Sequence, residues 1–161
     1  MKNNTSNKNR VYTKFTIMLA ASFLAMYITM YLNTYEWNHI FFSLTRFYMT
    51  CLGIATMAFI MWFVMRGMYR NKKKNIAIIA ASILLFVSAL LLVRDQKTVN
   101  DVNYMRAMIP HHSIAILTSE RAAIEDPEVR ALADRIIETQ KKEIAEMKAY
   151  IKRLENTTNN K

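Results

Sequence analysis

A single cysteine, Cys51, stands in the whole chain. One thiol cannot form an intrachain disulfide, so no covalent staple holds the fold and cysteine says nothing about redox compartment. Cys51 lies inside an apolar run, where a small buried residue is the plain reading and a reactive thiol is not needed. Carboxylates are nearly missing from the first half: residues 1–93 hold ten Lys or Arg and one acidic residue, Glu36. Residues 94–161 hold twelve Lys or Arg against eleven Asp or Glu. The net charge of +10 therefore flanks apolar runs. The polar half has almost no net basic field, which excludes nucleic acid as a partner.

What is there in abundance is apolar sequence. Phe15–Leu32, Phe47–Met65 and Ile76–Val93 contain no charged residue. At a rise of about 1.5 Å per residue each reaches roughly 27–29 Å, the thickness of a bilayer core. Lipid offers backbone amides no partner, so each run must be a helix. We expect a transmembrane region over residues 1–94, with helices at about 15–32, 47–65 and 76–93. The basic start could belong to a cleaved signal, but Asn33-Thr34-Tyr35-Glu36 offers no small-x-small cleavage site, which favours a retained anchor. Lys2, Lys8, Arg10 and Lys14 precede the first run, and Arg66, Arg70, Lys72, Lys73 and Lys74 crowd the second link. The positive-inside rule puts both in the cytoplasm and residues beyond the third run outside it. The expectation is a multi-pass cell-membrane protein with an extracytoplasmic C-terminal domain. Tyr31, Tyr35 and Trp37 at one end and Tyr69 at the other suit interfacial aromatic belts.

Met57, Met61, Met65 and Met68 share one face of the second run. A thioether ladder can pass Cu(I), but a helix-packing stripe is the simpler account, because no charged or His partner lies in that span. His39, in the first link, has no second ligand type near it in sequence and reads as an interfacial polar residue.

After residue 98 the period changes to that of amphipathic helices, and a helical hairpin domain is expected over 98–155. Its first helix starts at Asn100–Asp101 and runs to about Ile124. Its second has Asp126 as N-cap, Pro127 in the first position and Glu128 in the first turn, and runs to about Glu155 before a frayed tail, Asn156–Asn160. The stripe Val129, Leu132, Ala133, Ile136, Ile144, Met147, Ile151, Leu154 is interrupted on the same face by Gln140 and Glu143. Met105, Met108 and His112 fall on one face of the first helix, with His111 about 100° around. If the turn centres on Glu125–Asp126, His112 lies opposite Gln140, Met108 opposite Glu143–Ile144, and Met105 opposite Met147. Pro110 removes the amide that would bond the Arg106 carbonyl, so the helix either kinks or starts afresh there. Imidazole, thioether and carboxylate then meet at one level. Met108, His111, His112 and Glu143 are the expected metal ligands, with Met105 and Gln140 in weaker or supporting positions. His with Met favours copper, Cu(I) or Cu(II), by softness.

Asp101-Val102-Asn103-Tyr104-Met105-Arg106-Ala107-Met108-Ile109-Pro110-His111-His112 and the later Gln140-Lys141-Lys142-Glu143-Ile144-Ala145-Glu146-Met147 resemble the signature of the domain of unknown function 305 family. The resemblance covers about residues 98–154. It implies a ferritin-like helical domain outside the cytoplasmic membrane, associated with copper, with Met108, His111, His112 and Met147 as metal candidates and Gln140 and Glu143 as motif positions. Ile116 and Leu117 stand where many relatives carry a further Met.

Three functions fit. The leading one is a membrane-anchored, non-enzymatic protein that binds copper for buffering or resistance. The second is a helical interaction module without metal. The third, a redox enzyme, lacks the Glu-x-x-His pattern of di-iron bundles. A two-helix hairpin also has little interior, so two copies are expected to pair as a homodimeric four-helix bundle. The expected partners are thus the lipid bilayer, a metal ion and a second copy.

Overall fold

The computed structural model describes residues 2–159, with side chains over 10–157. It is all-helical, and no strand occurs among the described residues. The helices are α1 (Lys2–Thr29), α2 (Leu44–Val64), α3 (Lys72–Asp95), α4 (Asp101–Arg121) and α5 (Pro127–Asn159), with single 3-10 turns at Trp37–His39 and Arg66–Met68. Two compact units result: Met1–Ile28 with Arg46–Lys97, and Thr29–Thr45 with Thr98–Lys161. The second unit thus takes in the link between the first two membrane runs, which sequence reading assigned to the membrane region.

In the first unit, Arg10–Thr29, Leu44–Val64 and Lys72–Asp95 are long and apolar enough to cross a membrane, with mean hydropathies of 1.5, 1.8 and 3.0. Most of their large side chains face outward, among them Ile17, Leu24, Ile60, Phe63, Leu84 and Leu91, as lipid contact requires. Hydroxyls inside the spans close onto the preceding turn: Thr56 Oγ1 donates to Leu52 O and Ser82 Oγ to Ile78 O. Neither hydroxyl is then presented bare to hydrocarbon. Helices α1 and α2 approach closely at Gly53, where the Met26 thioether fills the space a Cβ would take, 2.8 Å from its position. Met61 and Met65 pack on the cluster of Phe15, Ala58 and Tyr69, while Met57 and Met68 are exposed. The methionine stripe is therefore in part a packing surface.

In the second unit, α4 opens with Asn100, whose side chain accepts from Asn103 N at 2.9 Å. It closes at Arg121, three residues before the expected Ile124. Helix α4 is continuous through Pro110, so a fresh start at that proline does not occur. Asp126 Oδ1 accepts from both Glu128 N and Val129 N at 2.9 Å, the expected cap of α5. The helix then runs on through Asn159, so residues 156–159 of the expected frayed tail are helical, and Asn160 lies outside the described residues. Met105, Ile109, Ile116, Ile144 and Ile151 form the core between α4 and α5. Tyr35 and Phe41 pack on this core from the Thr29–Thr45 segment. The hairpin thus has a third layer, supplied by residues far away in sequence.

Candidate functional site

The site begins with a register. His112 Nε2 lies 2.8 Å from Glu143 Oε2, not opposite Gln140 as a backbone count suggests. The reason is the lean of helical side chains. Each Cα–Cβ bond tilts toward its own helix N-terminus. In an antiparallel pair the two tilts are opposed, so side chains meet about one turn beyond their backbone level. Arg106, longer than His112, shows a larger offset with Glu155 and still meets it at 2.6 Å.

His112 is held at both ring nitrogens. Nδ1 sits 2.9 Å from the Met108 carbonyl oxygen, one turn back on α4. A carbonyl only accepts, so Nδ1 carries a proton and the Nε2 lone pair is directed at Glu143. Either Nε2 or the carboxylate then carries a further proton in the pair. This is the orientation that a metal-binding imidazole takes when a backbone carbonyl fixes its tautomer. The His112 side chain is 12% exposed and that of Glu143 is 45% exposed, so the pair opens to solvent on the carboxylate side. His111 is exposed, with its ring centroid 6.0 Å from that of His112 at 65°.

The other expected ligands divide. Met108 is half-buried and gives its carbonyl to His112. Gln140 is half-buried one turn before Glu143. Met105 is buried in the core cluster and Met147 packs against it, near each other as expected. Met105 lies seven residues from His112, about 10 Å along the axis. Met105 and Met147 both pack in the core, and both also border a cavity lined by Asp101, Tyr104 and Arg153. Among the described residues, no three His, Cys, Asp or Glu side chains gather in a metal-holding group.

Ser113, next to His112 and about 100° around α4 from it, was not singled out from sequence. It is fully buried. Its Oγ accepts from Tyr35 N at 2.7 Å and lies 3.0 Å from His39 Nδ1. His39, read from sequence as a polar residue of the link, is 5% exposed and buried against α4. Burial pushes its pKa below the usual imidazole value, the Lys148 charge pushes the same way, and Glu36 opposes them. Lys148 Nζ donates to Asn38 Oδ1 at 2.8 Å. Tyr35 is also engaged by side chains of the hairpin. Its phenol pairs with the Glu120 carboxylate, which raises its pKa, and the Lys141 ammonium sits 5.7 Å from its ring centre. Between link and hairpin lies a cavity of about 240 Å³, bordered by Glu36, His39, Lys141 and Lys148. The signal available in sequence was the density of aromatic residues in that link, Tyr35, Trp37, Phe41 and Phe42, which is high for a connector.

The model of the family described as "Domain of unknown function (DUF305)" matches residues 101–161, which is the hairpin. No solved structure matches the chain. The uncharacterised protein L153 of Acanthamoeba polyphaga mimivirus is 33% identical over 138 residues, covering 84% of this chain and 89% of the relative. A match of that length is more than twice the span of the hairpin and extends into the membrane half. With three membrane-length helices ahead of a hairpin that bears the Met-Ile-Pro-His-His sequence, the chain belongs to the domain of unknown function 305 family.

Proposed function

We propose that this membrane-anchored protein binds a metal ion at His112 and Glu143, on the side of the membrane away from the cytoplasm. The observation that carries the reading is the fixed His112 ring, with Nδ1 held by the Met108 carbonyl and Nε2 aimed at a half-exposed carboxylate. A cation entering from solvent would take the place of the proton between them. His111 and Met108 are near enough in sequence and on α4 to complete the donor set, and imidazole with thioether favours copper. Met105 and Met147 stay in the core on this reading. Outward placement of the hairpin is supported by the Lys/Arg asymmetry of the links. The role that fits a small, solvent-open site is buffering or resistance, with no catalytic residue assigned.

Copper stoichiometry and affinity, measured on the full chain in mild detergent, test the proposal. His112→Ala should weaken binding about a hundredfold and Glu143→Gln about tenfold. Wild-type affinity in both variants overturns it. A second reading, a helical docking surface, rests on exposed Tyr104, Val129, Leu132 and Tyr150. These side chains would also serve a homodimer. Sedimentation of the same sample distinguishes them: a dimer that Leu132→Glu disrupts supports self-pairing, and a monomer leaves the surface to a different partner.

A further inference from the structure

The first unit carries a cationic end with no carboxylate to answer it. Across Met1–Ile28 and Arg46–Lys97 the one acidic residue is Asp95. Asp95 ends α3, a helix of 24 residues, so it lies about 35 Å along the axis from the start of that helix. Arg10, Lys14, Arg66, Arg70, Lys72, Lys73 and Lys74 all belong to the opposite end, where α1 enters its span, α2 closes and α3 opens. Two of them border a cavity of about 280 Å³ whose lining is Arg10, Val11, Lys14, Phe15, Met18, Met65, Met68 and Tyr69. Cations stand on one part of the rim. Thioethers and an aromatic wall form the rest.

The cavity is preformed. Tyr69 and Phe15 are buried, with rings 5.6 Å apart edge to face, and Tyr12 lies 5.3 Å from Tyr69. The Tyr12 hydroxyl accepts from Asn71 N at 3.1 Å and donates to Asn75 Oδ1 at 2.8 Å. Asn75 Nδ2 in turn donates to the Tyr69 carbonyl at 2.7 Å. The 65–71 link is thereby tied to both α1 and α3. Lys74 is engaged over the Tyr12 ring, 5.0 Å from its centre, and Arg66 over Phe63, 5.3 Å away. Arg10 and Lys14 are exposed and have no ion-pair partner among the described residues.

We infer that this cavity is a site for one anionic phospholipid. Its phosphate would sit between the Arg10 guanidinium and the Lys14 ammonium. Its first acyl methylenes would lie on Met18, Met65 and Met68, which adapt to irregular chains because the thioether is unbranched. Charge complementarity selects the occupant: two cations without a protein counter-ion call for an anion, and the apolar floor calls for one that carries a hydrocarbon tail.

Native mass spectrometry of the full chain, titrated in detergent with phosphatidylglycerol or phosphatidylcholine, provides the test. The anionic lipid should be retained over the zwitterionic one. Arg10→Ala with Lys14→Ala should lower its affinity about thirtyfold, whereas Lys72→Ala with Lys73→Ala, an equal charge loss outside the lining, should change it less than about threefold. Equal losses in the two pairs, or equal retention of the two lipids, overturn the proposal. Displacement of the lipid by an equimolar amount of glycerol phosphate also overturns it, since the source would then be a soluble phosphate ester. If the alanine pair does not fold, Met68→Glu carries the test by placing a carboxylate in the lining. Retention of phosphatidylglycerol by that variant counts against the site.

Discussion

His112 and Ser113 are adjacent, yet α4 turns them toward opposite environments. His112 meets a half-exposed carboxylate and keeps an open side. Ser113 is fully buried under the Thr29–Thr45 segment, with Tyr35 and His39 bonded to it. One flank opens to solvent and, on the proposed function, would exchange a cation there. The other flank satisfies buried polar groups and holds two distant segments together. A histidine is present on each flank, so residue type alone does not tell a binding position from a structural one. Exposure and the partner of the second ring nitrogen do.

The comparison can be broken most sharply in the core beneath the closed flank. Ile116 is fully buried, and Ile116→Ala should lower the unfolding free energy by about 2–5 kcal/mol, read from thermal melts in detergent. His112→Ala on the open flank should cost well under that while weakening the proposed metal binding about a hundredfold. If the two costs are equal, the flanks are not distinct. Ser113→Ala comes next. It strands the Tyr35 amide and one His39 nitrogen in a buried seam, at a cost of about 1–3 kcal/mol, visible as faster hydrogen exchange at residues 35–41 with α5 amides little changed.

Acid sharpens the contrast further. The folded-state pKa of His39 is lowered from 6.5. The unfolded chain therefore takes up the proton first. Stability from this seam is fully present above about pH 6.5, falls as pH drops below it, and levels off once the folded state also protonates. His39→Gln should abolish this part of the pH dependence, and an unchanged profile would place its origin elsewhere. The smallest effect is expected for Lys148→Met. Removing that charge moves the His39 pKa back toward its ordinary value, so the acid-induced loss should become shallower. A steeper loss would mean that the Lys148–Asn38 bond matters more than the charge.

Much of this was legible in the residues. Three charge-free runs can only be helices in lipid, and the Asp126-Pro127-Glu128 start leaves little freedom for α5. The boundary of α1 was less legible: the run appears apolar to Leu32, but the helix ends at Thr29, where turns close on Thr29 O and Tyr31 O. Local bonds decided that end, and hydrophobicity does not encode them. At the site, His112 and Glu143 were found as a type-and-spacing match, while their pairing needed side-chain lean that a backbone count omits. Met105 and Met147 resembled ligands because a thioether is also a core side chain. The Ser113–His39 seam was hidden because its halves are 74 residues apart, and no periodicity connects a loop to the helix that buries it.

The third layer of the hairpin also fixes an order of events during synthesis. Tyr35, Asn38 and His39 leave the ribosome long before Ser113 and Lys148, from which they are separated by 78, 110 and 74 positions respectively. Until α4 and α5 exist, Tyr35, His39 and Phe41 have no surface to cover, and the link between α1 and α2 remains an open aromatic loop. The first membrane turn to be made is thus the last to be completed. Long-range closure of this kind slows folding and lengthens the exposure of apolar surface. A nascent chain stopped before residue 113 would present that loop to any chaperone within reach, and a hairpin transplanted onto a different anchor would arrive without its cover.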